Sequence, residues 1–126
     1  GYSLLEALVT LAIVSCAFLV LLGAFAPASK GVQFVRHRVV AQGLARRQME
    51  AIQTSAYRLN PTAQPYPTVA AVAGYQVAVS VSYWLTSTNA FGASMPAHDS
   101  GLQMVTVDVT KSGSTSFRLQ DFKGAR

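Results

Sequence analysis

The sequence predicts an α+β fold, in which a long N-terminal helix packs part of its length against a small antiparallel sheet of about three strands. Three observations predict it: an almost wholly apolar start, a following stretch with an apolar stripe at helical spacing, and a late region where apolar and polar side chains alternate. We divide the 126-residue chain accordingly into an apolar half-helix (1–26), an amphipathic half-helix (27–59) and a β-sheet head (60–126).

The composition is unusual for a water-soluble domain. Apolar residues make up 51% of the chain and charged residues only 12%, whereas about a quarter of a typical soluble domain is charged. This balance excludes an intrinsically disordered chain, which needs low hydrophobicity and high net charge. Most of the apolar excess lies at the N-terminal end of the chain.

The segment Leu4–Ala26 contains a single charged residue, Glu6. As a helix it is roughly 34 Å long, enough to cross a bilayer core of about 30 Å. A buried core helix is the first alternative, but a remainder of about 100 residues is too small to surround it. A cleaved secretory signal is the second, and its apolar run is shorter, about 7–15 residues. The pattern therefore favours a membrane-spanning segment.

The helical pattern continues from Val32 to Leu59 as an amphipathic helix. Its apolar stripe, which predicts the face that packs on the sheet, consists of Ala41, Ala45, Met49, Ile52, Ala56 and Leu59, widened by Val40 and Leu44. We expect the pair Asn60-Pro61 to end the helix, because proline forces the preceding residue out of the helical region.

Three residues interrupt the middle of this long helix. Pro27 removes one backbone hydrogen bond, and Gly23 and Gly31 make the same stretch easier to unwind. We expect a local break or a melted turn between Gly23 and Gly31, with a simple kink as the alternative.

The rest of the chain carries strand and turn signals. The proline-rich, uncharged stretch 61–74 predicts a surface connection. The alternation from Tyr75 to Trp84 predicts a strand, and a polar loop over 86–101 follows it. A second strand is predicted around Val105, Val107 and Val109, then a tight turn at Ser112-Gly113, and a last short strand around Phe117 and Leu119.

The sequence predicts no enzyme, no cofactor and no metal site. The one cysteine, Cys16, lies in the apolar segment, which excludes an intramolecular disulfide and a cysteine-rich metal site. The run His98-Asp99-Ser100 contains the residue types of a hydrolase triad, but sequence neighbours cannot adopt the relay geometry.

Basic residues are clustered after the apolar segment, against a single acid, Glu50. They are Lys30, Arg36, Arg38, Arg46, Arg47 and Arg58. Nucleic-acid binding would use such a patch together with aromatic side chains, yet only Phe34, His37 and Tyr57 lie near it. A solvated or headgroup-facing helix surface is the favoured interpretation.

Glu6 is the most informative single residue. A carboxylate inside a membrane helix costs about 2.5–3.5 kcal/mol, so it is a functional candidate by default, although it could also snorkel to the interface. Its setting, Gly1-Tyr2-Ser3-Leu4-Leu5-Glu6 followed by the apolar helix, resembles the processing and assembly motif of type IV pilins and type II secretion pseudopilins. The compact sheet is somewhat more similar to small minor pilins and pseudopilins of the I or V type.

The resemblance implies a function for each residue of the motif. Gly1 would precede the cleavage site of a prepilin peptidase, Tyr2 would be the methylated mature N-terminus, and Glu6 would pair with the amino group of an adjacent subunit. It leaves open whether the mature chain starts at Gly1 or Tyr2. The family's early helix proline is replaced here by Gly23, with Pro27 four residues later.

The resemblance further implies a structural subunit that leaves the inner membrane through an assembly platform. As a homo-oligomer, or together with other pilins, it would form an extracellular type IV filament, with the helix melting near Gly23–Gly31 during assembly. Three alternatives stay open: a periplasmic pseudopilin of a type II secretion system, a DNA-binding minor pilin for DNA uptake, and a single-span anchor for a small adaptor domain.

Overall fold

The computed structural model describes residues 3–125, and for Ala26 the backbone alone. The elements are α1 (Leu4–Thr54), β1 (Tyr75–Leu85), β2 (Ala90–Gly92), β3 (Leu102–Lys111) and β4 (Ser114–Gly124). The predicted α+β class is therefore confirmed. Its internal contacts divide the chain into an N-terminal unit, Gly1–Arg36, and a C-terminal unit, His37–Arg126.

The N-terminal unit is helical from Leu4 onward. The helix begins there because the Ser3 hydroxyl accepts a hydrogen bond of 3.2 Å from the backbone N–H of Glu6, which satisfies one of the free donors of the first turn. The side chains described in this unit are exposed. None of them therefore contributes to a core within the single chain.

The break that we expected between Gly23 and Gly31 is absent from this single chain. The helix runs continuously through Pro27 to Thr54. Pro27 has no N–H to donate to the carbonyl of Gly23, four residues earlier, and its ring crowds that carbonyl, so the helix stays continuous here at a cost in free energy. The backbone hydrogen bonds of the residues on both sides keep the helix continuous at this position.

The C-terminal unit contains one four-stranded antiparallel sheet, in the order β2-β1-β3-β4. The strand β1 matches its prediction, and its register with β3 places valine opposite valine at 77/109, 79/107 and 81/105. Because side chains alternate across a strand, these six residues lie on the same face of the sheet. That face is the apolar one, as predicted.

The sheet differs from the prediction in two places. The short strand β2 lies inside the stretch predicted as a loop, and β4 has eleven residues rather than being short. The predicted turn between β3 and β4 is confirmed: Ser112 and Gly113 have φ angles of 52° and 80°. Two consecutive positive φ values match the right-handed twist of the flanking strands.

The core of the C-terminal unit forms between helix α1 and the apolar face of the sheet. The helix contributes Ala41, Leu44, Ala45, Met49 and Ile52, and the sheet and the connection before it contribute Tyr66, Tyr75, Val105, Val107 and Val109. The predicted stripe is confirmed over Ala41–Ile52. Its last two members are wrong, because Ala56 and Leu59 lie beyond the helix and are exposed.

Helix α1 ends at Thr54, five residues before the predicted end at Leu59. The Thr54 hydroxyl donates to the carbonyl of Glu50, and the Ser55 hydroxyl donates to the carbonyl of Ile52. Such side-chain bonds compete with continuation of the backbone ladder. Asn60 starts a separate turn instead, in which its side-chain oxygen accepts two backbone N–H groups.

Candidate functional site

The apolar surface of the N-terminal unit is the first candidate site. Every described side chain from Leu4 to Phe25 is exposed, with 84% of Leu4 and 68% of Phe25 accessible. Among the described residues, α1 is the one helix that is long and apolar enough to cross a membrane. The segment is therefore compatible with a single-pass membrane precursor, and its surface needs a lipid or protein environment.

Glu6 lies in the first turn of this helix, close to its N-terminus. A carboxylate there is favoured by the helix dipole, and the spacing Ser3-x-x-Glu6 is that of a capping box. The sequence analysis missed this local contribution, although the spacing alone could have indicated it. The processing residues Gly1 and Tyr2 lie outside the described residues.

The predicted basic cluster is distributed over both units. In the C-terminal unit, Arg38, Arg46 and Arg47 are exposed on the helix, and the one ion pair found among residues 3–125 joins Arg118 to Asp108. Arg58 is half-buried and lies beyond the helix. Of the aromatic side chains near the cluster, His37 and Tyr57 form internal hydrogen bonds, which leaves Phe34 exposed.

Buried amides attach the irregular connection to the helix and the sheet. Gln48 is fully buried on the helix; its amide donates to the carbonyl of Pro67 at 2.7 Å, and its oxygen accepts the N–H of Val69 at 2.8 Å. On β3, the equally buried Gln103 accepts from the Tyr66 hydroxyl and donates to the carbonyl of Arg58. The two glutamines thus fix a segment that has no regular backbone pairing of its own.

Asp99 is also part of this anchoring network. The hydroxyl of Tyr57 lies 2.8 Å and 3.0 Å from its two carboxylate oxygens. Burial first, and then the bond to Asp99, raise the pKa of the Tyr57 phenol above its ordinary value. Ser100 donates to the carbonyl of Trp84. The predicted absence of a relay in 98–100 stays a prediction, but Asp99 and Ser100 each have another partner.

A second polar cluster lies around His37, the first residue of the C-terminal unit. Nδ1 of His37 is 3.0 Å from the Tyr75 hydroxyl and 2.7 Å from Nζ of Lys111. The Lys111 ammonium is also 5.3 Å from the centre of the Tyr75 ring. The sequence analysis had treated His37 only as a neighbour of the basic cluster, because its partners are 38 and 74 residues away.

Within residues 3–125, no group of three or more histidine, cysteine or acidic side chains is arranged to hold a metal ion. Cys16 lies exposed on the apolar helix. No known protein family, curated protein or solved structure matches the chain. Any functional assignment therefore depends on the exposed apolar helix, on Glu6 and on the folded unit that follows them.

Proposed function

We propose that the chain is a structural subunit of a type IV filament, a surface pilus, that polymerises through its N-terminal apolar helix. One observation carries the proposal: an exposed apolar helix with a carboxylate in its first turn continues into a unit that has its own core. The folded unit buries the apolar residues of its core, whereas the apolar side chains from Leu4 to Phe25 are exposed and need a lipid or a protein environment.

Glu6 is the residue that gives this apolar surface a register. A helix that moves from lipid into a bundle of other helices gains little from the hydrophobic effect, because lipid tails are as apolar as leucine. Packing and polar contacts must therefore select the assembled arrangement. A buried ion pair between Glu6 and the amino group of a neighbouring subunit is suited to that task, since such pairs specify registry better than they stabilise.

The proposal includes processing and membrane steps. The precursor would span the inner membrane once, a prepilin peptidase would cleave after Gly1 and methylate Tyr2, and an assembly platform would extract the subunit into the extracellular filament. The stretch between Gly23 and Gly31 would melt at that stage, because Pro27 has no N–H to donate to the carbonyl of Gly23.

Replacing Glu6 tests the proposal. Glu6→Ala should reduce the yield of sheared filaments at least tenfold while the C-terminal unit unfolds at the same temperature. Glu50→Ala, which removes an exposed carboxylate from the same helix, should leave the yield unchanged. Normal filament yield from Glu6→Ala would contradict the proposal.

The intact mass of the native protein in the sheared and membrane fractions identifies the kind of subunit. Sheared protein beginning at a methylated Tyr2 supports a pilin. A chain processed at the same site but confined to the membrane fraction would support a pseudopilin, and an unprocessed chain found only in the membrane would support a single-span anchor.

A further inference from the structure

The cluster of His37, Tyr75 and Lys111 has more hydrogen-bond donors than acceptors. The ammonium of Lys111 has three N–H groups, and the imidazole and the phenol have at least one donor each, whereas the acceptors are one nitrogen of a neutral imidazole and the phenol oxygen. Nζ of Lys111 lies 2.7 Å and 2.9 Å from the two ring nitrogens of His37, so only one of these contacts is a hydrogen bond. Donors are therefore left over for a further acceptor.

The surplus is also one of charge. None of the carboxylates in the described part of the chain bonds to this cluster, since three of them have other partners: Asp108 pairs with Arg118, Asp121 accepts from Gln53, and Asp99 accepts from Tyr57. Glu50 is thirteen residues further along the helix from His37, roughly 20 Å away. The neighbouring Arg38 is exposed and adds a second positive charge. The positive charge of this cluster therefore favours binding of an anion.

An open cleft lies next to the cluster. It has a volume of about 350 Å³ and is lined by Gly74, Tyr75, Gln76 and the turn residues Ser112 and Gly113. Glycines at two of these positions leave the backbone accessible. Tyr75 belongs to both the cleft and the cluster, and Lys111 directly precedes the turn residue Ser112.

The chain itself limits which anion is close by. Ten residues lie between Ala26, the end of the apolar segment, and His37, and this connection spans at most about 40 Å in any conformation. Once the apolar helix crosses a bilayer, the cluster is therefore tethered within about 40 Å of the lipid headgroups.

We infer that His37, Tyr75 and Lys111 form a contact site for the phosphate of anionic phospholipid headgroups in the membrane that holds the apolar helix. The inference rests on the membrane-spanning step of the proposed function. The site would hold the C-terminal unit against the membrane before assembly. Leaving the membrane would then require these contacts to break, in addition to those of the apolar helix.

The test uses the full chain in vesicles. A Cys16→Ser, Thr115→Cys protein carries a fluorescent donor at an exposed position outside the cleft, and the vesicles carry an acceptor dye on their headgroups. Energy transfer should be higher with about 30% phosphatidylglycerol in phosphatidylcholine than with phosphatidylcholine alone, and should fall when sodium chloride is raised. A basic residue near an anionic surface changes association roughly fivefold, so Lys111→Gln should reduce the gain by about that factor.

Matched variants separate a site from net charge. Arg47→Gln removes one positive charge from the exposed helix surface and should leave the gain almost unchanged, whereas Lys111→Arg should retain it. Arg38 is exposed, so Arg38→Gln should fold normally and should also lower the gain. This variant tests the inference if Lys111→Gln does not fold. Equal transfer in both lipid mixtures, or an equal loss for Arg47→Gln and Lys111→Gln, would overturn the inference.

Two further outcomes are informative. If inorganic phosphate lowers the lipid-dependent gain at an ionic strength where chloride does not, the site recognises phosphate groups, as the inference requires. Glu6→Ala should keep the lipid-dependent gain, because Glu6 is in the other unit. In Glu6→Ala, loss of filaments with a retained lipid-dependent gain supports both proposals. Loss of filaments with equal transfer in both lipid mixtures would leave the proposed function intact and reject the lipid site.

Discussion

The ammonium nitrogen of Lys123 lies 2.9 Å from the carbonyl oxygen of Ile52 and 2.8 Å from that of Ser55, so a strand residue closes the C-terminal end of helix α1. A third carbonyl, that of Gln53, is 3.3 Å away. The last carbonyls of a helix have no partner within the helix, and a cation is favoured there by the helix dipole. Only 5% of Lys123 is exposed, and these bonds are what allow its burial.

Replacing Lys123 with methionine should destabilise the C-terminal unit. Lys123→Met keeps the length of the side chain but leaves the three carbonyls without their donor, for an expected loss of about 2–3 kcal/mol in the free energy of unfolding. Urea unfolding of the full chain in detergent, followed by circular dichroism, measures this loss. Lys30→Met, on the exposed helix of the other unit, is the control, and an equal effect of both changes would contradict the assignment.

The buried amide of Gln48 should contribute as much to the stability of the C-terminal unit as an apolar core residue does. Gln48→Leu preserves volume but leaves the carbonyl of Pro67 and the N–H of Val69 without the bonds seen here. We expect a loss of about 2–4 kcal/mol and faster proteolysis within 61–74. Gln42→Leu, a half-buried position on the same helix, should cost less than about 1 kcal/mol, and limited proteolysis with mass spectrometry would detect a difference in the connection.

Much of this fold was predictable because its signals are local. The alternation of Val77, Val79 and Val81, the turn at Ser112-Gly113 and the stripe from Ala41 to Ile52 each follow from residues close in sequence. The helix end was not predictable, because Thr54, Ser55 and the distant Lys123 decide it together. Asn60-Pro61 would have allowed the helix to continue further than it does.

The candidate sites also differ in whether local sequence or distant residues determine them. Glu6 and the apolar segment could be identified from the sequence, since both depend on composition over a short stretch. The cluster of His37, Tyr75 and Lys111 could not, because the sheet register determines which strand ends meet the helix. Gln48 and Gln103 appeared to be ordinary polar residues, and only their burial distinguishes them.

The C-terminal unit should lose stability at alkaline pH. Burial raises the pKa of Tyr57, Tyr66 and Tyr83 above the ordinary value of 10.0. The unfolded chain therefore releases these phenol protons first, and the free energy of unfolding falls as the pH rises above about 10. The slope is at most about 1.4 kcal/mol per pH unit for each tyrosine, and less for a partly exposed phenol.

A single substitution checks this assignment. Tyr57→Phe should make the fall between pH 10 and 11 shallower, while costing about 1–2 kcal/mol at pH 8 through the lost bond to Asp99. Lys123 acts in the opposite direction, because burial lowers its pKa below 10.5 and the unfolded chain then binds more protons in that interval. Urea midpoints at pH 8, 9, 10 and 11 give the net slope, and a rise in stability above pH 10 would contradict the prediction.

The open edge of β1 should be the main point of non-native association. This strand pairs with β2 only over Tyr83–Leu85, and it contains no charged residue or proline. The other edge strand, β4, has three charged residues including the inward-pointing Lys123, which is how natural sheets block edge pairing.

Placing a lysine at the exposed Ser80 should therefore slow aggregation of the detergent-solubilised chain severalfold, measured by light scattering during mild heating. Ser114→Lys adds the same charge to β4, and equal protection by both would show that net charge, and not the open edge, controls the association.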